Sequence, residues 1–116
     1  MSVKIAIRLY RTSSGKCPVE EFLDSLSGKA AQEITWVLQL FEEMDSIPEQ
    51  YFKKLTSDIW ECRIQFGGNI FRILCFFDGP EVVLAHGFQK KTQKTPRNEI
   101  EKAESYRRDY LDRREE

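Results

Sequence analysis

Apolar and polar side chains alternate at the start of the chain. Over Val3–Tyr10 this period-two pattern predicts a half-buried strand, and the polar Thr12–Gly15 segment ends it. The apolar face of this predicted strand consists of Val3, Ile5, Ile7 and Leu9.

The spacing of apolar residues then becomes helical. Pro18 opens a first predicted helix, at a position where its missing N–H costs nothing. Ser27-Gly28 interrupts this helix, and a second one is predicted to continue to about Asp45. Its apolar stripe consists of Ile34, Val37, Leu38, Phe41 and Met44, widened by Trp36 and Leu40. We therefore expect an α-hairpin that packs on a flat partner.

Three strand-like runs follow, with turn residues between them. The first is Ile59–Phe66, the second runs from Asn69 or Ile70 to Phe77, and the third is Val82–Phe88. Gly67-Gly68-Asn69 and Asp78-Gly79-Pro80 predict tight turns, and connections this short require antiparallel neighbours. The preceding Tyr51–Leu55 segment is interpreted as a connector.

The last predicted element begins at Thr95-Pro96, a cap and first-turn pair. Its inward stripe consists of Ile100, Ala103, Tyr106 and Tyr110. The predicted order is β-α-α-β-β-β-α in a single domain over residues 1–116. This is an α+β fold, in which an antiparallel sheet is packed by an N-terminal α-hairpin and a C-terminal helix.

Composition narrows the class of protein. The chain has 116 residues, of which 41% are hydrophobic, enough for one compact domain. No apolar run approaches the roughly 20 residues of a membrane span, and no signal peptide is recognisable, so we expect a cytoplasmic protein. The three cysteines and one histidine predict neither a disulfide framework nor a metal site.

Charge is distributed unevenly although the formal net charge is only −1. The strand-like parts are basic and the helix-like parts are acidic. Four cations, Lys90, Lys91, Lys94 and Arg97, follow the last predicted strand with no acid between Glu81 and Glu99. Most short basic runs are solvated loops, but a basic segment where a strand meets a helix is also a place to hold phosphate.

Arg72 is the least expected residue of the predicted central strand, where it shares a face with Ile70, Leu74 and Phe76. It must pair with a carboxylate such as Glu61 or Glu81, reach water at a strand end, or line a cleft. If Arg63 and Arg72 share a face beside Lys90 and Lys91, four cations converge. Such a cluster fits a phosphodiester backbone.

Three runs carry a resemblance to a known family: Ile59–Ile64, Gly67–Leu74 and His86–Pro96. They resemble the RelE/ParE toxin superfamily and are most similar to its HigB-like, phage-related branch. The resemblance implies a RelE-like fold and the toxin of a type II toxin–antitoxin module. Many such toxins cut mRNA in the ribosomal A site without a metal or other cofactor. The 2′-hydroxyl attacks the adjacent phosphate and leaves a cyclic phosphate and a 5′-hydroxyl.

The resemblance also implies residue roles and partners. Arg72 would contact the scissile phosphate and Arg63 the neighbouring backbone, with Lys90 and Lys91 in the basic position after the last strand. Lys94 and Arg97 extend this RNA-binding set. The partners would be mRNA on the ribosome and a cognate helix-turn-helix antitoxin.

The proton-transfer groups are open. Lys91 is the first candidate for the general base. His86 is a second candidate, although its strand phase with Leu84 and Phe88 favours a hydrogen-bonded structural histidine. Two other functions stay open as well: a non-catalytic inhibitor of DNA gyrase, as in the ParE branch, and an inactive relative that only binds its antitoxin.

Overall fold

The computed structural model describes residues 5–89 and 94–114, and these residues form one five-stranded sheet and three helices. In chain order the elements are β1 (Ala6–Leu9), α1 (Pro18–Asp24), α2 (Gly28–Glu43), β2 (Phe52–Lys54), β3 (Trp60–Phe66), β4 (Asn69–Asp78), β5 (Glu81–Gln89) and α3 (Arg97–Arg114). The mixed α+β class is confirmed. In the described parts of the chain, no helix is long and apolar enough to cross a bilayer.

The strands lie in the order β1-β5-β4-β3-β2, with β4 at the centre as predicted. The β3–β4 and β4–β5 pairs are antiparallel, as their short turns require. The prediction of a wholly antiparallel sheet was wrong, because β1 pairs with β5 in parallel. The two helices between β1 and β2 carry the chain across the sheet to its other edge, so the later strands return toward β1.

The interpretation of Tyr51–Leu55 as a connector was also wrong. Phe52–Lys54 forms the edge strand β2, paired antiparallel with β3. The Phe52 ring stacks on Trp60, with 4.9 Å between ring centres. This contact and the pairing with β3 hold so short a strand in place.

The two N-terminal helices cover one face of the sheet, as the predicted α-hairpin requires. Buried residues of α2 pack with strand residues such as Cys62, Ile73 and Leu84 in one hydrophobic cluster. Gly87 of β5 lies under Phe22 of α1, where an added Cβ would come within 2.4 Å of the ring. The expected burial of Trp36 was wrong: its side chain is 55% exposed, because the hairpin buries the neighbouring Ile34 and Leu38 instead.

The C-terminal helix covers part of the opposite face. Its Ala103 is fully buried against Leu74, Phe76 and Val83, and the other residues of its predicted stripe pack around them. The helix begins at Arg97, one residue after the first-turn Pro96 predicted from the sequence. The main-chain N–H groups of Glu99 and Ile100 donate to the Pro96 carbonyl, and the Thr95 hydroxyl bonds to Glu61 rather than to the helix.

Candidate functional site

Arg63 and Arg72 lie directly opposite each other on β3 and β4. Cross-strand partners share a face, so both arginines lie on the side of the sheet that α3 partly covers. Gly67 and Gly68 set this register, because their positive φ angles of 60° and 80° form the tight turn between the strands. The expectation that Arg63 and Arg72 share a face is therefore confirmed, while their predicted position beside Lys90 and Lys91 lies outside the described residues.

The carboxylate of Glu61 compensates the two facing cations. Arg63 Nε donates to Glu61 Oε1 over 2.7 Å, and Arg72 Nη1 lies 3.7 Å from Glu61 Oε2. Glu61 is 0% exposed and Arg72 is 1% exposed, whereas the Arg63 side chain is 31% exposed. Two like charges opposite each other on a sheet repel, and the carboxylate that they share offsets this repulsion.

Thr95 completes the cluster. Its hydroxyl donates to Glu61 Oε2 and accepts from Arg72 Nη1 over 3.2 Å. The segment before α3 is thereby held against the interior strands, over the Arg72 guanidinium. Of the two arginines, Arg63 is the one whose side chain is partly exposed to solvent.

Further cations border this cluster. Lys53 of β2 is the cross-strand partner of Glu61, so it shares the same face, and it is exposed to solvent. Lys94 is also exposed and lies in the chain next to Thr95. Lys90 and Lys91, two residues on which the sequence prediction rests, lie outside the described residues.

His86 is held inside the protein. It is 3% exposed, and its Nε2 lies 3.0 Å from the Glu99 carbonyl of α3. Burial lowers the pKa of its imidazole, which the bond to Glu99 only partly offsets. The ring therefore helps to fasten α3 to β5, as the structural interpretation expects; its catalytic role stays a prediction.

Arg97 is not brought into the cluster. Its side chain is 92% exposed and forms an ion pair with Glu101 one turn along α3. Of the predicted site residues that the structure describes, Arg63 and Arg72 are brought together. Lys94 is next to Thr95 in the chain, His86 contacts α3, and Arg97 belongs to α3.

Comparison with known protein families identifies the family of this chain. The model of the family described as "Phage derived protein Gp49-like (DUF891)" matches residues 21–108. The chain belongs to the Gp49-like family. This is a family of RelE-like, toxin-related proteins, which agrees with the superfamily level of the predicted resemblance. No curated protein matches the chain.

The Gp49-like segment contains the whole candidate cluster, because Lys53, Glu61, Arg63, Arg72 and Thr95 all fall within residues 21–108. It leaves out β1 and the last turns of α3. A toxin-like, phage-derived protein is thus the functional class that the family indicates.

Sequence reasoning missed two members of this cluster, Lys53 and Thr95, and one contact of a third, Glu61, whose predicted pairing with Arg72 is confirmed. Lys53 was missed because β2 was not predicted, and Thr95 was assigned to a helix cap. Glu61 was considered only as a partner for Arg72, although its phase with Arg63 in the Ile59–Phe66 run placed both on one face. That alternation was the signal that could have identified a shared carboxylate.

Proposed function

We propose that this Gp49-like protein is the toxin of a type II toxin–antitoxin module and acts as an mRNA endoribonuclease. The observation that carries the proposal is the direct pairing of Arg63 with Arg72 on one sheet face. Lys53 lies on the same face and Lys94 is next to Thr95 in the chain. Adjacent cations on a strand surface suit the closely spaced charges of a single RNA strand.

The chemistry proposed is attack of an RNA 2′-hydroxyl on the adjacent phosphate, with no metal in the step. Negative charge gathers on the phosphorane oxygens, and preorganised cations stabilise it. Arg63 contacts the RNA backbone with its partly exposed side chain. Arg72 reaches the scissile phosphate once the Thr95 hydroxyl withdraws, since Thr95 and Glu61 hold its guanidinium in the free protein.

Proton transfer is assigned to the basic segment after β5. Lys91 is our first candidate for the base. Lys90, Lys94 and Arg97 would bind the RNA backbone next to the phosphate that is cleaved. His86 is the second candidate, and it could act only after the contact between its ring and Glu99 opens. A neutral imidazole is the form a general base requires, and burial favours that form.

The proposal also assigns a branch of the superfamily, a site of action and a partner. We place the protein in the HigB-like branch, with a RelE-like arrangement and a cytoplasmic site of action on ribosome-bound mRNA. Its partner would be a helix-turn-helix antitoxin encoded beside it. A small helix-turn-helix gene next to the coding sequence supports the pairing, and a lone gene speaks against it.

Induced expression tests the proposal. The wild-type chain is expected to stop growth, and Arg63→Gln is expected to relieve the arrest. Lys29→Gln, which removes one charge from the exposed first turn of α2, is the matched control and is expected to stay toxic. Equal toxicity of all three chains would remove Arg63 from the mechanism.

The burial of Arg72 favours a second candidate function. A cation that is 1% exposed and paired with Glu61 stabilises the negative charge of a transition state less than a solvent-accessible cation does. This suits a non-catalytic inhibitor of DNA gyrase. Purified protein that blocks supercoiling and leaves RNA whole would establish this alternative. A chain that neither stops growth nor blocks supercoiling would be an inactive relative whose ligand is its antitoxin.

A further inference from the structure

A second group of cations surrounds a cavity of about 310 Å³ where β1 meets the end of α3. β1 is separated from β3 by β5 and β4, so this cavity is distinct from the Arg63–Arg72 cluster. Its described lining consists of Arg8, Leu9, Arg11, Tyr110, Arg113 and Arg114. All six residues lie outside the segment 21–108 that the family model matches. The cavity therefore adds a feature that the family assignment does not cover.

Each of the four arginines is anchored by a carboxylate. The pairs are Arg8 with Glu81, Arg11 with Glu20, Arg113 with Asp109, and Arg114 with Asp78. None of these four carboxylates is among the described residues that line the cavity. A guanidinium has five N–H donors. The described contacts of Arg8, Arg11 and Arg114 use at most two of these donors each, so donors remain for a ligand in the cavity.

The end of α3 contacts β1 and the residues after it, and these contacts fix the positions of the cations. The Tyr110 hydroxyl accepts from Arg8 Nη1 over 3.1 Å and donates to Asp78 Oδ2 over 2.7 Å. Arg113 donates to the Arg11 carbonyl, and its guanidinium lies 5.8 Å from the centre of the Tyr10 ring. The end of α3 is thus tied to β1 and to the residues that follow it. Groups held in place before binding lose less entropy when a ligand arrives.

The arginines stay accessible despite their ion pairs. The side chains of Arg8 and Arg11 are 54% and 53% exposed, and that of Arg114 is 47% exposed. Exposed ion pairs are weak because water and salt screen them. An anion that offers several oxygens at once can therefore compete for the same donors, and arginine binds phosphate through two parallel hydrogen bonds.

We propose that this cavity is a binding site for a phosphate group. Arg8, Arg11 and Arg114 contact the ligand, and Arg113 holds the cavity wall in position. Inorganic phosphate and the phosphodiester of RNA share this chemistry. The proposal does not depend on mRNA cleavage, since it uses residues separate from the Arg63–Arg72 cluster.

Arginine Nε–H resonances of the full chain provide the test. Inorganic phosphate, titrated against sodium chloride at equal ionic strength, is expected to shift the Arg8, Arg11 and Arg114 signals saturably. Arg8→Gln should weaken binding about tenfold, the loss expected for one charge-assisted hydrogen bond. The control Lys29→Gln should bind within about twofold of the wild type, because a screened, remote charge adds little.

A second titration identifies the source of the phosphate. A short single-stranded RNA without terminal phosphates carries only phosphodiesters. Tighter binding of this RNA, weakened by Arg8→Gln, assigns the cavity to a nucleic-acid backbone. Binding of inorganic phosphate alone assigns it to a free or terminal phosphate. The proposal is overturned if neither probe shifts the three arginine signals saturably, or if Lys29→Gln weakens binding as much as Arg8→Gln.

Discussion

Thr95 donates its hydroxyl hydrogen to the carboxylate of Glu61, which ties the segment before α3 to an interior strand of the sheet. The same carboxylate accepts from Arg63 and lies 3.7 Å from the Arg72 guanidinium. One buried acid therefore organises both arginines of the candidate site. Thr95 and Glu61 both contact the buried Arg72 guanidinium.

Removing the Thr95 hydroxyl should destabilise the protein. Thr95→Val keeps the shape of the side chain but leaves the buried Glu61 without one donor, which costs about 1–3 kcal/mol. Urea unfolding measures the change. The matched control is Thr35→Val, whose hydroxyl donates to the Ala31 carbonyl on the exposed side of α2 and whose loss should cost less than about 0.5 kcal/mol. Equal stability of the two variants would mean that the Thr95 contact contributes nothing.

Neutralising Glu61 should cost more. Glu61→Gln breaks the described ion pair between Glu61 and the buried Arg72, and breaking a buried pair costs about 3–5 kcal/mol. The comparison is Glu101→Gln, which removes the partner of Arg97 in an ion pair whose side chains are 92% and 65% exposed. That change should cost less than about 1 kcal/mol. Chemical denaturation of both variants at pH 7 checks the difference.

His86 makes stability depend on pH. Its folded pKa lies below the ordinary 6.5 because burial penalises the charged ring. Below pH 6.5 the unfolded chain therefore binds a proton that the folded chain does not, so stability falls as the pH drops toward the folded pKa. Above pH 6.5 the imidazole is neutral in both states and contributes no slope.

The single histidine makes this prediction easy to check, because its ring protons give one titration curve. The midpoint should lie below 6.5, and His86→Gln should flatten the loss of stability between pH 6.5 and the folded pKa. A midpoint at or above 6.5 would show that the ring is more exposed than the structure describes.

Much of the fold could be predicted from residue patterns. The alternation of Ile70–Phe77 placed Arg72 on the face of Leu74 and Phe76, and the structure confirms this. The Gly67-Gly68 pair indicated a tight turn, and that turn brings Arg63 opposite Arg72. Strand alternation and turn residues involve neighbours in the chain, so the sequence alone indicates them.

What could not be predicted depends on contacts between distant residues. β2 exists because Phe52–Lys54 pairs with β3, and three residues carry too little pattern to show it. Thr95 resembled a helix cap, yet its hydroxyl bonds to Glu61, 34 residues earlier in the chain. The parallel pairing of β1 with β5 likewise depends on where the helices carry the chain.

The central claim, mRNA cleavage by 2′-hydroxyl attack, is tested most directly by mapping RNA ends after induced expression. The wild-type chain is expected to create cuts inside coding regions, with a cyclic phosphate on one side and a 5′-hydroxyl on the other. Arg63→Gln should abolish these ends while the variant stays folded, and Lys29→Gln should keep them. Intact mRNA in cells that the wild-type protein has stopped from growing would contradict the account.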